Sequence, residues 1–220
     1  MPFVPDSRRL TLRTDEHTNA VMLMVDAIPL QGGGTLFYDK AFFLAAEADA
    51  LFATLLRETA WKQEMGRGRP FPRLTAWYAD EGLTYRYSGV VHVGAGWTPT
   101  LLDVKRRVEE TAQATFNSVL LNRYRHGQDS IGMHADDEPE LGINPVVASV
   151  SLGAVRTFVL KHRKSGETRS IPLAHGSLLV MSGTCQHHWL HGVPKTTADV
   201  GERINLTFRN LITEMASGAP

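Results

Sequence analysis

His134-Ala135-Asp136 places an imidazole and a carboxylate at i and i+2. On an extended backbone such residues point to one side, so the pair could converge on one ion. Further along, the run Gln186-His187-His188-Trp189-Leu190-His191 is dense in imidazole. If that run is extended, His187 and His191 share a face and His188 takes the other. Any one of the three could complete a set of two histidines and one carboxylate. That set suits non-haem Fe(II) and leaves coordination positions open. A structural zinc site fits less well, because such sites close four ligands, mostly Cys and His. An acidic surface loop at Asp136-Asp137-Glu138 and a patch of surface imidazoles are the plain alternatives for these two segments.

Arg203-Ile204-Asn205-Leu206-Thr207-Phe208-Arg209 alternates without a break. Arg203, Asn205, Thr207 and Arg209 face one way, and the apolar residues face the other. An ordinary half-buried strand would turn the polar stripe to water. In a two-layer roll the same stripe can line an internal pocket while helices cover the apolar face. Two guanidinium groups in a pocket are costly without anions. A small dicarboxylate would supply them, through forked hydrogen bonds that arginine makes well. Asn122 and Tyr124 share a face of another short apolar run and could add neutral donors.

The elements that must hold these residues are legible as texture. Ala41 to Thr59 and Thr100 to Thr115 carry apolar residues at helical spacing, the second with Thr98 or Thr100 as cap and Pro99 near its start. From Phe116 onward short β-rich runs alternate with Gly and Pro: Phe116–Tyr124, Val146–Leu152, Thr157–Lys161, Arg169–Leu173, Ser177–Met181, His187–His191 and Arg203–Asn210. Their spacing predicts a sandwich or double-sheet jelly roll, with the preceding helices on one outer face. Val21 to Ile28 reads as a strand broken by Gln31-Gly32-Gly33-Gly34, and Leu74–Val93 as a further β-rich patch. Residues 1–20 read as a loose arm.

Lys+Arg and Asp+Glu are equal at 23 each, which argues against a basic protein that coats nucleic acid but not against a local basic surface. The lone Cys185 permits no intramolecular disulfide and fits a reducing, intracellular location. There is no apolar run of membrane-spanning length and no secretory layout at the start. We expect a cytoplasmic protein, nuclear in a eukaryote.

Taken together, His134-x-Asp136, His191 and Arg203-x-Asn-Leu-Thr-Phe-Arg209, preceded by Asn122-x-Tyr124, resemble the AlkB family of Fe(II)- and 2-oxoglutarate-dependent dioxygenases over roughly residues 60–212. Asn122-Arg-Tyr, His134-Ala-Asp-Asp-Glu138, Ala148-Ser-Val-Ser-Leu-Gly-Ala, His175-Gly-Ser-Leu-Leu and Val193-Pro are similar to the DNA-repair branch related to the human AlkB homologues two and three. The resemblance implies an α+β, mainly β fold: a double-stranded β-helix (jelly roll) over about 116–212, N-terminal covering helices and a nucleotide-recognition lid over about 60–93. All of this would lie in one domain spanning 21–220.

It also implies roles. His134, Asp136 and His191 would bind Fe(II). The choice of His191 over His187 rests on the family, which sets its second histidine just before a turn. Arg203 would clamp the distal carboxylate of 2-oxoglutarate with Tyr124 and Asn205, while Arg209 and Asn122 sit nearer the metal. Tyr78, Tyr85 and Tyr87 would wall the base, which must leave the duplex before chemistry reaches it. Glu138 would contact an exocyclic amine, and Met65 stands where a relative carries an apolar wedge. Arg67, Arg69 and Arg73, with Lys161, His162, Arg163 and Lys164, would form a phosphate rim.

The implied reaction is oxidative demethylation of bases such as 1-methyladenine and 3-methylcytosine with Fe(II), O2 and 2-oxoglutarate, by a monomer acting on alkylated DNA and not on a membrane. The rivals are the same chemistry on RNA or protein, and a non-catalytic cupin-like protein that binds a small acid.

Overall fold

Period-two alternation builds the centre of the molecule. The computed structural model describes residues 9–14, 20–66, 68–87 and 90–212. In chain order its strands are β1 (Arg9–Thr14), β2 (Ala20–Pro29), β3 (Gly34–Asp39), β4 (Met65–Gly66), β5 (Arg69–Pro70), β6 (Leu74–Ala79), β7 (Thr84–Tyr87), β8 (Val90–Val93), β9 (Ser118–Tyr124), β10 (Ile131–His134), β11 (Val147–Gly153), β12 (Arg156–His162), β13 (Thr168–Leu173), β14 (Ser177–Gly183), β15 (Trp189–Val193) and β16 (Arg203–Arg209). The helices are α1 (Ala45–Glu58), α2 (Pro99–Ala112) and the single turn α3 (Cys185–His188).

Eight strands form one antiparallel sheet in the order β1-β2-β3-β14-β11-β16-β9-β6, and β10-β15-β12-β13 form a second. On β16 Ile204, Leu206 and Phe208 pack with Val119 and Leu121 of β9, Val150 and Leu152 of β11, and Leu55, Leu101, Val104 and Val108 of the two long helices. A second cluster, including Tyr124, Phe158, Leu160, Leu179, Met181 and Trp189, fills the other side of the large sheet. This is the expected jelly roll: helices cover the apolar face, and the polar face of β16 looks inward. None of the helices among the described residues is long and apolar enough to cross a membrane.

The helix ends follow from local chemistry. Thr98 caps α2, accepting from the Leu101 N–H at 3.2 Å, so the choice between Thr98 and Thr100 goes to Thr98. The last turn closes at Gln113 in the left-handed region, φ 52°. In α1 the expected start at Ala41 moves to Ala45, where Glu47 accepts from the Leu44 N–H, and Arg107 of α2 ties that same Glu47 at 2.9 Å.

Two expectations need correction. Part of the arm over residues 1–20 lies outside the described residues, but Arg9–Thr14 is a strand in register with Ala20–Val25. Pairing with β2 satisfies backbone groups that a loose arm would leave to water. The segment expected as a lid, 60–93, holds two short hairpins, β4-β5 and β7-β8, on either side of β6, which belongs to the large sheet beside β9.

Candidate active site

His134 and His191 are register partners across β10 and β15. The two strands close up there because Gly192 carries no side chain: a Cβ on it would lie 2.9 Å from the carbonyl oxygens of both Gly132 and Ile131. Asp136 follows just beyond β10. One ligand atom from each of His134, Asp136 and His191 lies within 4.8 Å of the others. The expectation that His187–His191 is extended fails, since Cys185–His188 is a helical turn and the strand begins at Trp189. His187 is turned away to Asn144, and His188 lies beside His162.

The protonation of this trio is set by its surroundings. His134 Nδ1 lies 2.9 Å from the Gly132 carbonyl, which can only accept, so Nδ1 carries the proton and Nε2 keeps its lone pair. Burial, then the neighbouring His191, push the His134 imidazole down to about 4, so it is neutral at pH 7. For Asp136 burial opposes the charge, but the Arg209 guanidinium and the two imidazoles outweigh it and hold the carboxyl well below the usual range. Arg209 donates to Asp136 Oδ1 from Nη2 at 2.7 Å and from Nε at 3.1 Å. Oδ2 is buried without a hydrogen-bond partner; His191 Nε2 is 3.5 Å away, too far for a strong bond. A buried carboxylate oxygen without a donor is expensive unless a cation completes it. The donor set, two imidazoles and one carboxylate, fits a divalent transition metal.

Arg203 lies in the same cavity of about 540 Å³, with Asn122, Tyr124, Asn205, Thr207 and Arg209. It is 1% exposed, its Nη2 donates to Ser151 Oγ at 2.8 Å, and its guanidinium lies 5.1 Å from the Tyr124 ring centre. Nε and Nη1 are buried without partners, and burial pushes its pKa down. A guanidinium in that state is completed by a carboxylate. Asn205 is already committed: its amide donates to Ser149 Oγ and the Val150 carbonyl and accepts from Thr207. It therefore shapes the wall and has no free N–H for a ligand.

The remaining expected residues divide. Glu138 lines the cavity, with Oε2 buried and unpartnered, and burial raises its pKa. Tyr78 does not face the cavity: it packs against the helix-side core, and its neighbour Trp77 lines the cavity instead, because adjacent residues on β6 point to opposite faces. Arg73 is not on a rim either. It is 5% exposed, inside the cavity wall, and donates to Asn122 Oδ1 at 2.6 Å. Met65 and Arg69 are exposed on the β4-β5 hairpin. Arg67 and the side chains of Tyr85 and Tyr87 lie outside the described residues. Of the second basic cluster, His162 is buried, Arg163 pairs with Asp137 at 2.7 Å, and Lys161 and Lys164 are exposed.

Trp77, Gln186 and Arg156 are the residues that reading the sequence missed. Alternation along β6 sets Trp77 on the opposite face from Tyr78 but does not say which face meets the cavity. Arg156 donates to the carbonyls of His126, Gly127, Asp129 and Pro194, tying the loop after Tyr124 to the loop after β15. No local pattern announces that.

Comparison with known proteins bears on the chain as a whole. The model of the 2OG-Fe(II) oxygenase superfamily matches residues 35–209. The alpha-ketoglutarate-dependent dioxygenase alkB homolog 3 of Mus musculus is 43% identical over 188 residues, 79% of this chain and 65% of that protein. The DNA oxidative demethylase ALKBH2 of Bos taurus is 41% identical over 185 residues, 77% of this chain and 66% of that protein. This chain thus spans just under two thirds of these relatives' length. The solved structure of OsALKBH1 superposes with a TM-score of 0.62 at 16% identity, over 84% of this chain and 99% of that one, a likeness of fold alone.

Proposed function

The chain belongs to the 2OG-Fe(II) oxygenase superfamily, and from that premise we propose that it removes small alkyl groups from nucleic-acid bases, such as the methyl of 1-methyladenine or 3-methylcytosine. One observation carries the reading. The trio His134, Asp136 and His191 shares a single cavity with a buried arginine, Arg203, whose Nε and Nη1 have no partner. His134, Asp136 and His191 would hold Fe(II). Arg203 would take the distal carboxylate of 2-oxoglutarate beside Tyr124, and Asn122 and Arg209 would border its other end. Bound together, Fe(II), 2-oxoglutarate and O2 supply an oxidation of the N-alkyl carbon, with succinate and CO2 as products and formaldehyde released from an N-methyl group.

The protein's own part is to bind, orient and exclude water. The Gly132 carbonyl fixes the His134 tautomer, and Arg209 holds one oxygen of Asp136 so that the other stays free. Trp77 and Glu138 line the cavity and would meet the base. Alkylated DNA is favoured as substrate by relatives named DNA oxidative demethylase. The test is mass spectrometry of oligonucleotides carrying either lesion, single-stranded and duplex, DNA and RNA, with Fe(II), ascorbate and 2-oxoglutarate. A mass loss of one CH2 that needs 2-oxoglutarate and vanishes in Asp136→Ala is the expected result. Consumption of 2-oxoglutarate with no mass change on any strand would discard these lesions. No consumption by iron-loaded protein would favour a small-acid binding protein instead.

A further inference from the structure

Gln186 sits in α3, just before the strand that carries His191, and is 1% exposed. Its Oε1 accepts the backbone N–H of Asp136 at 3.0 Å, across 50 residues of sequence. Its Nε2 lies 3.6 Å from Met181 Sδ. The amide can be oriented only one way here, because the Asp136 N–H only donates and a thioether sulfur only accepts. Asp136 is thereby held at two points. Arg209 pins Oδ1, and Gln186 pins the main chain from the segment that leads into His191. Oδ2 is what remains free. An acceptor oxygen is what this place requires: a hydrocarbon would strand a buried N–H.

We propose that Gln186 is a positioning residue for the metal centre, setting Asp136 against His191 so that the three ligand atoms converge. The inference rests on the metal-centre reading given above. Groups that support metal ligands typically contribute about 10–100-fold in affinity.

The experiment is calorimetric titration of metal-free protein with Co(II), for wild type, Gln186→Leu, Gln186→Met, Gln186→Glu and Asp136→Ala, with a thermal melt of each metal-free protein. Gln186→Leu and Gln186→Met keep the volume and lose the acceptor; each is expected to weaken Co(II) binding about 10–100-fold while still unfolding cooperatively. Gln186→Glu keeps an acceptor oxygen and is expected to recover most of the affinity. Either apolar variant binding Co(II) as wild type does, in folded protein, overturns the proposal. So does a Gln186→Glu protein as weak as the apolar ones. Loss of Co(II) binding in Asp136→Ala is the expected control. Wild-type binding in that variant would instead bring down the metal-centre reading, a different failure from that of Gln186.

Discussion

Arg209 and Arg203 stand on one face of β16, and the two ends of the cavity treat them oppositely. At the metal end Arg209 meets a carboxylate, Asp136, at 2.7 Å, and the pair is largely neutral within itself. At the deep end Arg203 is fully buried, with one hydroxyl partner in Ser151, a tyrosine ring beside it and two groups of N–H donors unpaired. A stable fold tolerates the first arrangement readily. It tolerates the second at a cost that a bound anion would remove. The difference teaches where an external ligand must enter: one end is organised around a charge the chain supplies, and the other awaits one.

The largest effect expected from breaking this contrast is at Asp136. Asp136→Ala removes a proposed ligand and leaves Arg209 without its carboxylate. Turnover should vanish, metal affinity should fall by more than the ~100-fold that losing a supporting group costs, and the metal-free protein should melt at lower temperature. Arg203→Met should act the other way on stability. It removes an unpaired buried cation, so the metal-free melting temperature should hold or rise, while 2-oxoglutarate affinity drops by about 10–100-fold, the scale of a charge-assisted hydrogen bond. If both variants lost stability alike, the two ends would not differ as described.

Saturation offers a milder test. In the metal-loaded wild type, 2-oxoglutarate at about 100 times its Kd should add about 2.7 kcal/mol of stability by mass action. Arg203→Met at the same concentration, with its affinity down about 10–100-fold, should show only about 0.4–1.4 kcal/mol in a thermal shift assay.

The smallest effect concerns pH. His134 is pushed down to about 4 in the fold, from 6.5. The unfolded chain therefore takes up a proton that the fold refuses. The contribution is fully present above pH 6.5 and is lost as pH falls from 6.5 toward 4, where protonation favours unfolding. The melting temperature of metal-free wild type should fall across that window, and His134→Gln should flatten the slope. An unchanged slope would mean that another group dominates.

Much of this architecture is legible in the order of residues alone. Strand alternation from Arg203 to Arg209 is a property of backbone pleating, so the division of β16 into a polar and an apolar face can be read directly. The helical stripes, the Thr98-Pro99 start of α2 and the Gly-punctuated strands are equally local. Reading fails where the answer depends on partners far away in the chain. Tyr78 looks like a base-stacking residue and Trp77 does not, because nothing in the sequence says which face of β6 meets the helices. Arg73 looks like part of a basic surface because it stands near other arginines, yet it is buried against Asn122.

The residue types and their periodicities by themselves determined a two-layer β architecture and the division of β16 into a polar and an apolar stripe, since both follow from short-range spacing; that the polar stripe lines the cavity was decided by the fold. Parity along the run could not separate His187 from His191, and only the tertiary structure supplies the physical reason that His191 stands with His134 and Asp136. A helical turn at Cys185–His188 resets the parity of that run, and the close approach of β10 and β15 at Gly132 and Gly192 brings His191 opposite His134. Convergence of groups so far apart in the chain is a matter of register between strands, and strand register is fixed by the packing of the whole sheet.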